Sequence, residues 1–312
     1  MAHTPVLLQE VLEYLNVEVL EYLNVQKGEK YIDCTLGDGG HTLEILRRGG
    51  KVLGIDVDAA SLEAARGKIA DLGLSAGFVG VQGNFANIDK LATSEGFACA
   101  NGIVYDLGFS SRQLEEGGLG LSFHSDEVLD MRMDKSLAVQ AADLVNALSK
   151  SELEKLFSQY GQERYAKRFA NAIVTARNLK KIRTTKDLVN IIVAEAPPGY
   201  EKGRIHPATR VFLALRVAVN DELENLSKSL PQAAALLCSP VIGEPGQFLP
   251  GGRMLVISFN SLEDRLVKEF SRSARLKEVV AGVVTPGDAE LATNVRSRSA
   301  KLRVYEKNTQ IT

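Results

Sequence analysis

The first hundred residues alternate short apolar runs with segments of helical spacing. Residues 31–34, 51–55, 77–81 and 102–105 each form a brief apolar run, the pattern of a strand buried on both faces. Residues 41–48 and 59–72 carry apolar positions three and four apart, which predicts helices between those strands. Such alternation predicts a doubly wound α/β fold with a parallel sheet. The alternation then stops. From about residue 113 to 206 the chain reads as helical and polar, with Leu153, Leu156, Phe157 and Tyr160 at helix spacing. After Pro207 a single helix is predicted, carrying Phe212, Leu215, Val219, Leu223 and Leu226 on one face. Residues 254–259 read as a strand, 261–271 as a helix, and 279–284 and 302–305 as further short strands. The economical arrangement is an α/β domain from 1–112 and 206–312, with a helical domain, 113–205, inserted after the fourth strand.

One repeat interrupts the pattern. Residues 10–17 read EVLEYLNV, and 18–25 read EVLEYLNV again. The repeat does not recur, so it is a tandem duplication and not a solenoid. Leu12, Leu15, Val19, Tyr22 and Leu23 roughly share one helical face, but eight residues leave a phase error of about 80°. A lengthened or broken helix before the first strand is expected, with no function of its own.

Composition narrows the class. In 312 residues, 45% hydrophobic and 24% charged, no apolar run approaches the ~18–20 residues of a membrane helix. The opening Met1-Ala2-His3-Thr4-Pro5 has no basic n-region, so a cytoplasmic protein is expected. Cys34, Cys99 and Cys238 are scattered without CxxC spacing. That odd, sparse count argues for a reducing compartment and against a disulfide or zinc framework. With only four histidines, no metal site is expected. The net charge is −2, from 37 basic and 39 acidic residues. The sum conceals its distribution: residues 1–159 carry a net −11 and residues 160–312 a net +9. Such asymmetry hints at nucleic acid.

The candidate chemistry sits at strand ends. Asp33-Cys34-Thr35-Leu36-Gly37-Asp38-Gly39-Gly40-His41 follows a strand and opens a helix. Glycines there allow close backbone approach, and the helix start favours an anionic group. The dinucleotide fingerprint would need glycine where Thr42 stands. An acid followed by G-x-G-G suits S-adenosyl-L-methionine better, because its sulfonium and ammonium favour nearby carboxylates. Asp56 ends the second strand, placed to hold both hydroxyls of a ribose, while Asp58 reads as a helix N-cap. Phe85 follows the third strand and is a candidate to stack on adenine or a core ring. Asp106 ends the fourth. Ligands of open α/β sheets bind at these carboxyl ends.

These motifs resemble a known family. HTPVLL at 3–8, DCTLGDGGH at 33–41, DLGFSSRQL at 106–114, LDMRMD at 129–134, HPATRVFLALRVAVNDEL at 206–223, GGRMLVISFNSLEDR at 251–265 and SRSAKLR at 297–303 are similar to the RsmH (MraW) family. Its members are bacterial methyltransferases acting on N4 of a cytosine in the decoding region of 16S rRNA. The resemblance implies a class I (Rossmann-like) methyltransferase sheet with an inserted helical domain. It implies S-adenosyl-L-methionine contacts at Gly39, Gly40, His41, Asp56, Phe85, Asp106 and Gln113, and 16S rRNA within the small ribosomal subunit as partner. A monomer or a homodimer is compatible with it. The chain departs from the family at Asn260, where histidine is usual, and at Leu121 in Gly120-Leu121-Ser122-Phe123, where the family has a second phenylalanine.

Methyl transfer to cytosine N4 needs a hydrogen-bond acceptor, because that lone pair is conjugated into the ring. Asp106, or a backbone carbonyl of residues 107–110, is the candidate acceptor, and Asn260 borders the same cleft. Basic residues concentrate at Arg164, Lys167, Arg168, Arg177, Lys180, Lys181, Arg183 and Lys186, with a second cluster at Arg296, Arg298, Lys301 and Arg303. Both are candidates for phosphate contact, whereas Arg210 and Arg265 lie inside motifs and suit structural ion pairs. Two other readings compete. One is an RNA-binding or assembly protein with impaired catalysis, motivated by Asn260 and the duplication. The other is a nicotinamide-dependent oxidoreductase, which Thr42 disfavours.

Overall fold

The computed structural model describes residues 27–109, 113, 118–242, 248–249, 251–274, 276–287, 291–292 and 294–308. The duplicated segment 10–25 and the HTPVLL motif lie outside the described residues. The chain divides into two compact units, one reaching Gly108 and resuming at Leu223, the other spanning Phe109–Glu222.

The first unit is built on a seven-stranded sheet. Its strands are β1 (Lys30–Asp33), β2 (Lys51–Asp56), β3 (Phe78–Gln82), β4 (Gly102–Asp106), β5 (Arg253–Ser258), β6 (Lys277–Glu278) and β7 (Lys301–Glu306), in the order β3-β2-β1-β4-β5-β7-β6. The first five run parallel and β7 is antiparallel to both neighbours. Helices α1 (Gly40–Arg47), α2 (Ala59–Asp71) and α3 (Ile88–Ser94) connect the strands; α3 is too short to show as a sequence pattern. Alternate residues of each strand feed opposite layers. Ile32, Ile55, Ile103, Tyr105 and Val256 face one core, while Tyr31, Val52, Val104 and Ile257 face the other. Burial on both faces is why these strands read as unbroken apolar runs.

The second unit packs α4 (Ala141–Ala147), α5 (Lys150–Gln159), α6 (Ala166–Leu179), α7 (Thr185–Glu195) and α8 (Thr209–Val219) around Phe157, Phe169, Ile173, Leu188 and Phe212. Capping boxes open α5 at Ser149 and Glu152 and α7 at Thr184 and Asp187. Helix α8 joins this core through Val211 and Leu215, so the second unit extends beyond residue 205, where the insert is expected to end. Gly161 is required between α5 and α8: a Cβ there would fall 2.4 Å from the Arg210 carbonyl oxygen.

Three expectations need correction. The helix predicted across Phe212 to Leu226 is two, α8 and α9 (Glu222–Leu236), broken at Asn220 and Asp221, where Asp221 has φ +49°. Residues 118–140 are irregular and not helical. The strand expected at 279–284 does not form: β6 ends just before it, and within it Val284 makes one isolated bridge to Leu302.

A disulfide also appears against expectation. Cys99 and Cys238 are bonded, with Cα atoms 4.7 Å apart and 139 residues between them in sequence. Ala100 donates to the Leu236 carbonyl (2.9 Å) and Cys238 to the Ala100 carbonyl (2.9 Å), so backbone pairing brings the cysteines together. A cysteine count does not register such pairing. Such a cross-link typically contributes about 2–4 kcal/mol of stabilisation. A dithiol reductant is therefore expected to lower the denaturant midpoint of the wild type and leave a Cys99→Ser variant unmoved. The third cysteine, Cys34, is buried, which pushes its thiol pKa well up and leaves it protonated. Among the described residues, no helix is long and apolar enough to cross a membrane.

Candidate functional site

The register sets the site. Asp33 pairs with Gly54 on one side and Val104 on the other, so Asp56 and Asp106 each reach two residues further, about 6–7 Å, on either flank of β1. The loop leaving β1 emerges between them. It turns sharply, with Gly39 donating to the Leu36 carbonyl (2.8 Å) and Leu36 to the Ile55 carbonyl (3.0 Å). Gly37 and Gly39 have φ of +49° and +77°, which favour glycine, and a Cβ on Gly39 would press to 3.3 Å against Ala65. Gly40 then opens α1.

Each acid is tied to this loop. Asp56 accepts hydrogen bonds from the backbone N–H of Gly37 (2.7 Å) and of Asp58 (2.9 Å). Burial raises its pKa to about 6, against those two hydrogen bonds, which pull it down. Asp58 caps α2 by accepting from Ala60 (3.0 Å). Asp33 is buried, accepts from the Thr42 hydroxyl (2.7 Å) and the Thr35 N–H (3.2 Å), and also has its pKa raised by burial to about 6. Asp106 donates its backbone N–H to the Thr35 hydroxyl (2.7 Å) and sets its carboxylate 4.0 Å from Nδ1 of His41, itself buried. Thr35 thus links the glycine loop to β4. Nothing in the sequence separates it from any other loop threonine.

Phe85 lies in a short turn after β3 and meets Tyr105 edge-on at 5.7 Å, partly buried against the core. Its position serves either expected role. Asn260 is the N-cap of α10 (Ser261–Ser273): its Oδ1 accepts from Leu262 and Glu263, both at 3.0 Å, while buried Glu263 accepts from Phe259 (2.9 Å) and Asn260 (3.3 Å). The side-chain oxygen is committed to capping. The amide Nδ2 remains, and it is a donor.

Gly39, Gly40, His41, Asp56, Phe85, Asp106 and Asn260 therefore gather at the carboxyl ends of the first unit's strands. Gln113 belongs to the second unit, in a helical conformation. In that unit Phe123 stacks on His206 at 4.7 Å.

The basic clusters divide on inspection. Arg303 is no surface cation: it is buried and donates to Asp264 at 2.7 Å, anchoring β7 to α10. Lys301 shares that carboxylate at 3.7 Å. In the second unit Arg168 pairs with Glu195, Lys180 with Asp187 and Arg210 with Glu201. Lys167, Lys181, Arg183 and Lys186 are exposed.

The glycine cradle, the N–H groups at the start of α1 and the carboxylate of Asp56 fit a ligand with an amino-acid end and a ribose. A carboxylate has about four acceptor positions, so accepting two backbone N–H groups leaves it capacity for hydroxyls.

The chain is 43% identical over 328 residues to ribosomal RNA small subunit methyltransferase H of Geobacter sulfurreducens, covering 98% of this chain and 99% of the relative. It is 42% identical over 310 residues to the protein of that name from Desulfotalea psychrophila, covering 98% of each. A putative rRNA methylase from Clostridium thermocellum is similar in structure at a TM-score of 0.43 and 12% identity, covering 99% of this chain and 100% of that one. The family model for the MraW methylases matches residues 1–308, and the chain belongs to the MraW methylase family.

Proposed function

We propose that this chain transfers a methyl group from S-adenosyl-L-methionine to N4 of a cytosine in the decoding region of 16S rRNA. The observation that carries the reading is the convergence of the glycine loop, Asp56 and Asp106 at three adjacent strand ends in a chain of this family. Gly39, Gly40 and His41 line one end of the cofactor position, Asp56 holds the ribose hydroxyls, and Phe85 faces the adenine.

The cofactor supplies an electrophilic methyl on a sulfonium. The protein must bring the nucleophile to about 3–3.5 Å in line with it. Cytosine N4 becomes nucleophilic when one of its hydrogens is drawn into a hydrogen bond and the lone pair leaves the ring plane. The Asp106 carboxylate is the acceptor. Its backbone is held by Thr35 on one side and by pairing with β5 at Ile257 on the other. Asn260, with its oxygen occupied by the cap, holds the base as a donor and takes no proton. A catalytically impaired RNA-binding or assembly role is not favoured, because relatives above 40% identity along the whole chain are named as methyltransferases.

Tritiated-methyl transfer to small ribosomal subunits, compared with naked 16S rRNA, tests the reading. Label on N4 of one cytosine supports it, and absence of label on both substrates despite cofactor binding sinks it. The exposed cations also make a prediction. Substituting Lys181, Arg183 and Lys186 by glutamine is expected to flatten the log–log salt dependence of RNA binding by about 2, from ~0.7 per lost phosphate contact. An unchanged slope in a filter-binding series from 50 to ~200 mM salt would remove this surface from the interface.

A further inference from the structure

Phe109 follows Asp106 by three positions in the chain, and its setting is unusual for a phenylalanine. It is partly exposed and joins none of the hydrophobic clusters among the described residues. Its ring lies instead on a cation, with the guanidinium carbon of Arg216 5.0 Å from the ring centroid. Arg216 is nearly buried and forks onto Glu222, Nε to Oε1 at 2.7 Å and Nη2 to Oε2 at 2.8 Å. The turn between them is fixed as well. The Asn220 amide donates to the carbonyls of Met131 (2.8 Å) and Arg216 (3.0 Å), and its oxygen accepts from Met133 (2.8 Å).

A bidentate ion pair with little access to water is an expensive way to support a ring whose only task is packing, since aliphatic neighbours would do so at lower cost. It is well suited to a ring that must stay flat and still while one face is offered to a ligand. A guanidinium on one face holds the ring by cation–π attraction and leaves the other for stacking. A flat base taken from single-stranded or flipped RNA is the ligand that chemistry recognises.

We infer that Phe109 is the face on which the substrate's unpaired pyrimidine stacks, and that Arg216 and Glu222 are positioning residues that hold the ring. The inference rests on the proposed RNA methylation.

The test compares wild type with Phe109→Leu, Phe109→Tyr and Arg216→Lys by three measurements. These are calorimetric cofactor affinity, methyl transfer at varied subunit concentration, and fluorescence of an RNA hairpin carrying pyrrolo-cytosine at the target position. Phe109→Leu is expected to raise KM for the subunit about ten- to hundredfold, the scale of one lost stack. It is also expected to abolish fluorescence quenching and leave cofactor affinity within twofold. Phe109→Tyr restores both properties. Arg216→Lys falls between, because a lysine cannot fork. If Phe109→Leu keeps wild-type KM and quenching, the inference is overturned whatever happens to its melting temperature. A loss that follows cofactor affinity alone overturns it too. Failure of wild type to methylate any subunit defeats instead the reading on which it rests.

Discussion

An Asp106→Asn variant is expected to transfer methyl groups about 10²–10⁴-fold more slowly than wild type, the usual range for a positioned proton acceptor. The substitution keeps the shape of the side chain. It also keeps the backbone hydrogen bond to Thr35 (2.7 Å) and the pairing of β4 with β5, neither of which involves the carboxylate. What it removes is negative charge and one acceptor, in a place where His41 lies 4.0 Å away and the cofactor position is close. The two effects separate by measurement. Single-turnover transfer at saturating cofactor reports acceptor strength, while calorimetry reports cofactor affinity. Full turnover with unchanged affinity would reassign the acceptor role to a backbone carbonyl of the following loop.

Much of this site was legible because its strands are buried on both sides. Such strands announce themselves as apolar runs, and the residue ending each run then stands at the carboxyl edge of the sheet. Asp56 and Asp106 needed no more than that. Other features turn on contacts between distant segments. The disulfide joins cysteines 139 residues apart and depends on Ala100 pairing with the end of α9. The break at Asp221 is invisible because Val219, Leu223 and Leu226 keep helical spacing across it, while the turn is held by Asn220 reaching back to Met131 and Met133. Arg303 reads as a surface cation until α10 brings Asp264 beside it. Asn260 is the instructive case. Read against the family it is a loss of a titrating group, whereas in the structure it is a residue well suited to cap α10.

Cofactor binding is expected to weaken as pH falls through about 6, while the cofactor-free protein gains stability over the same interval from the same groups. Asp33 and Asp56 are each raised by burial to about 6 from an ordinary value near 3.8. A raised carboxylate pKa means the folded state holds its proton more tightly than the unfolded chain. The stabilising contribution is complete below about 3.8 and is lost as pH rises through about 6. The free protein thus carries the cost of two buried carboxylates at neutral pH. Hydroxyls donated to Asp56, together with the positive charge the cofactor brings near both groups, offset that cost, but only for the ionised forms, so affinity follows ionisation. For one group near 6, the ionised fraction falls about tenfold between pH 7 and 5, and affinity is expected to fall at least that much. Asp56→Asn should lose affinity outright at neutral pH, because the amide is uncharged and its NH2 group faces the Gly37 N–H that the carboxylate accepts at 2.7 Å. Its residual binding should also show a shallower pH dependence, with Asp33 alone remaining. Thermal shifts with and without cofactor between pH 5 and 8 read both signs at once. A cofactor-induced shift constant across that range would show that the ionisation of neither carboxylate is coupled to cofactor binding.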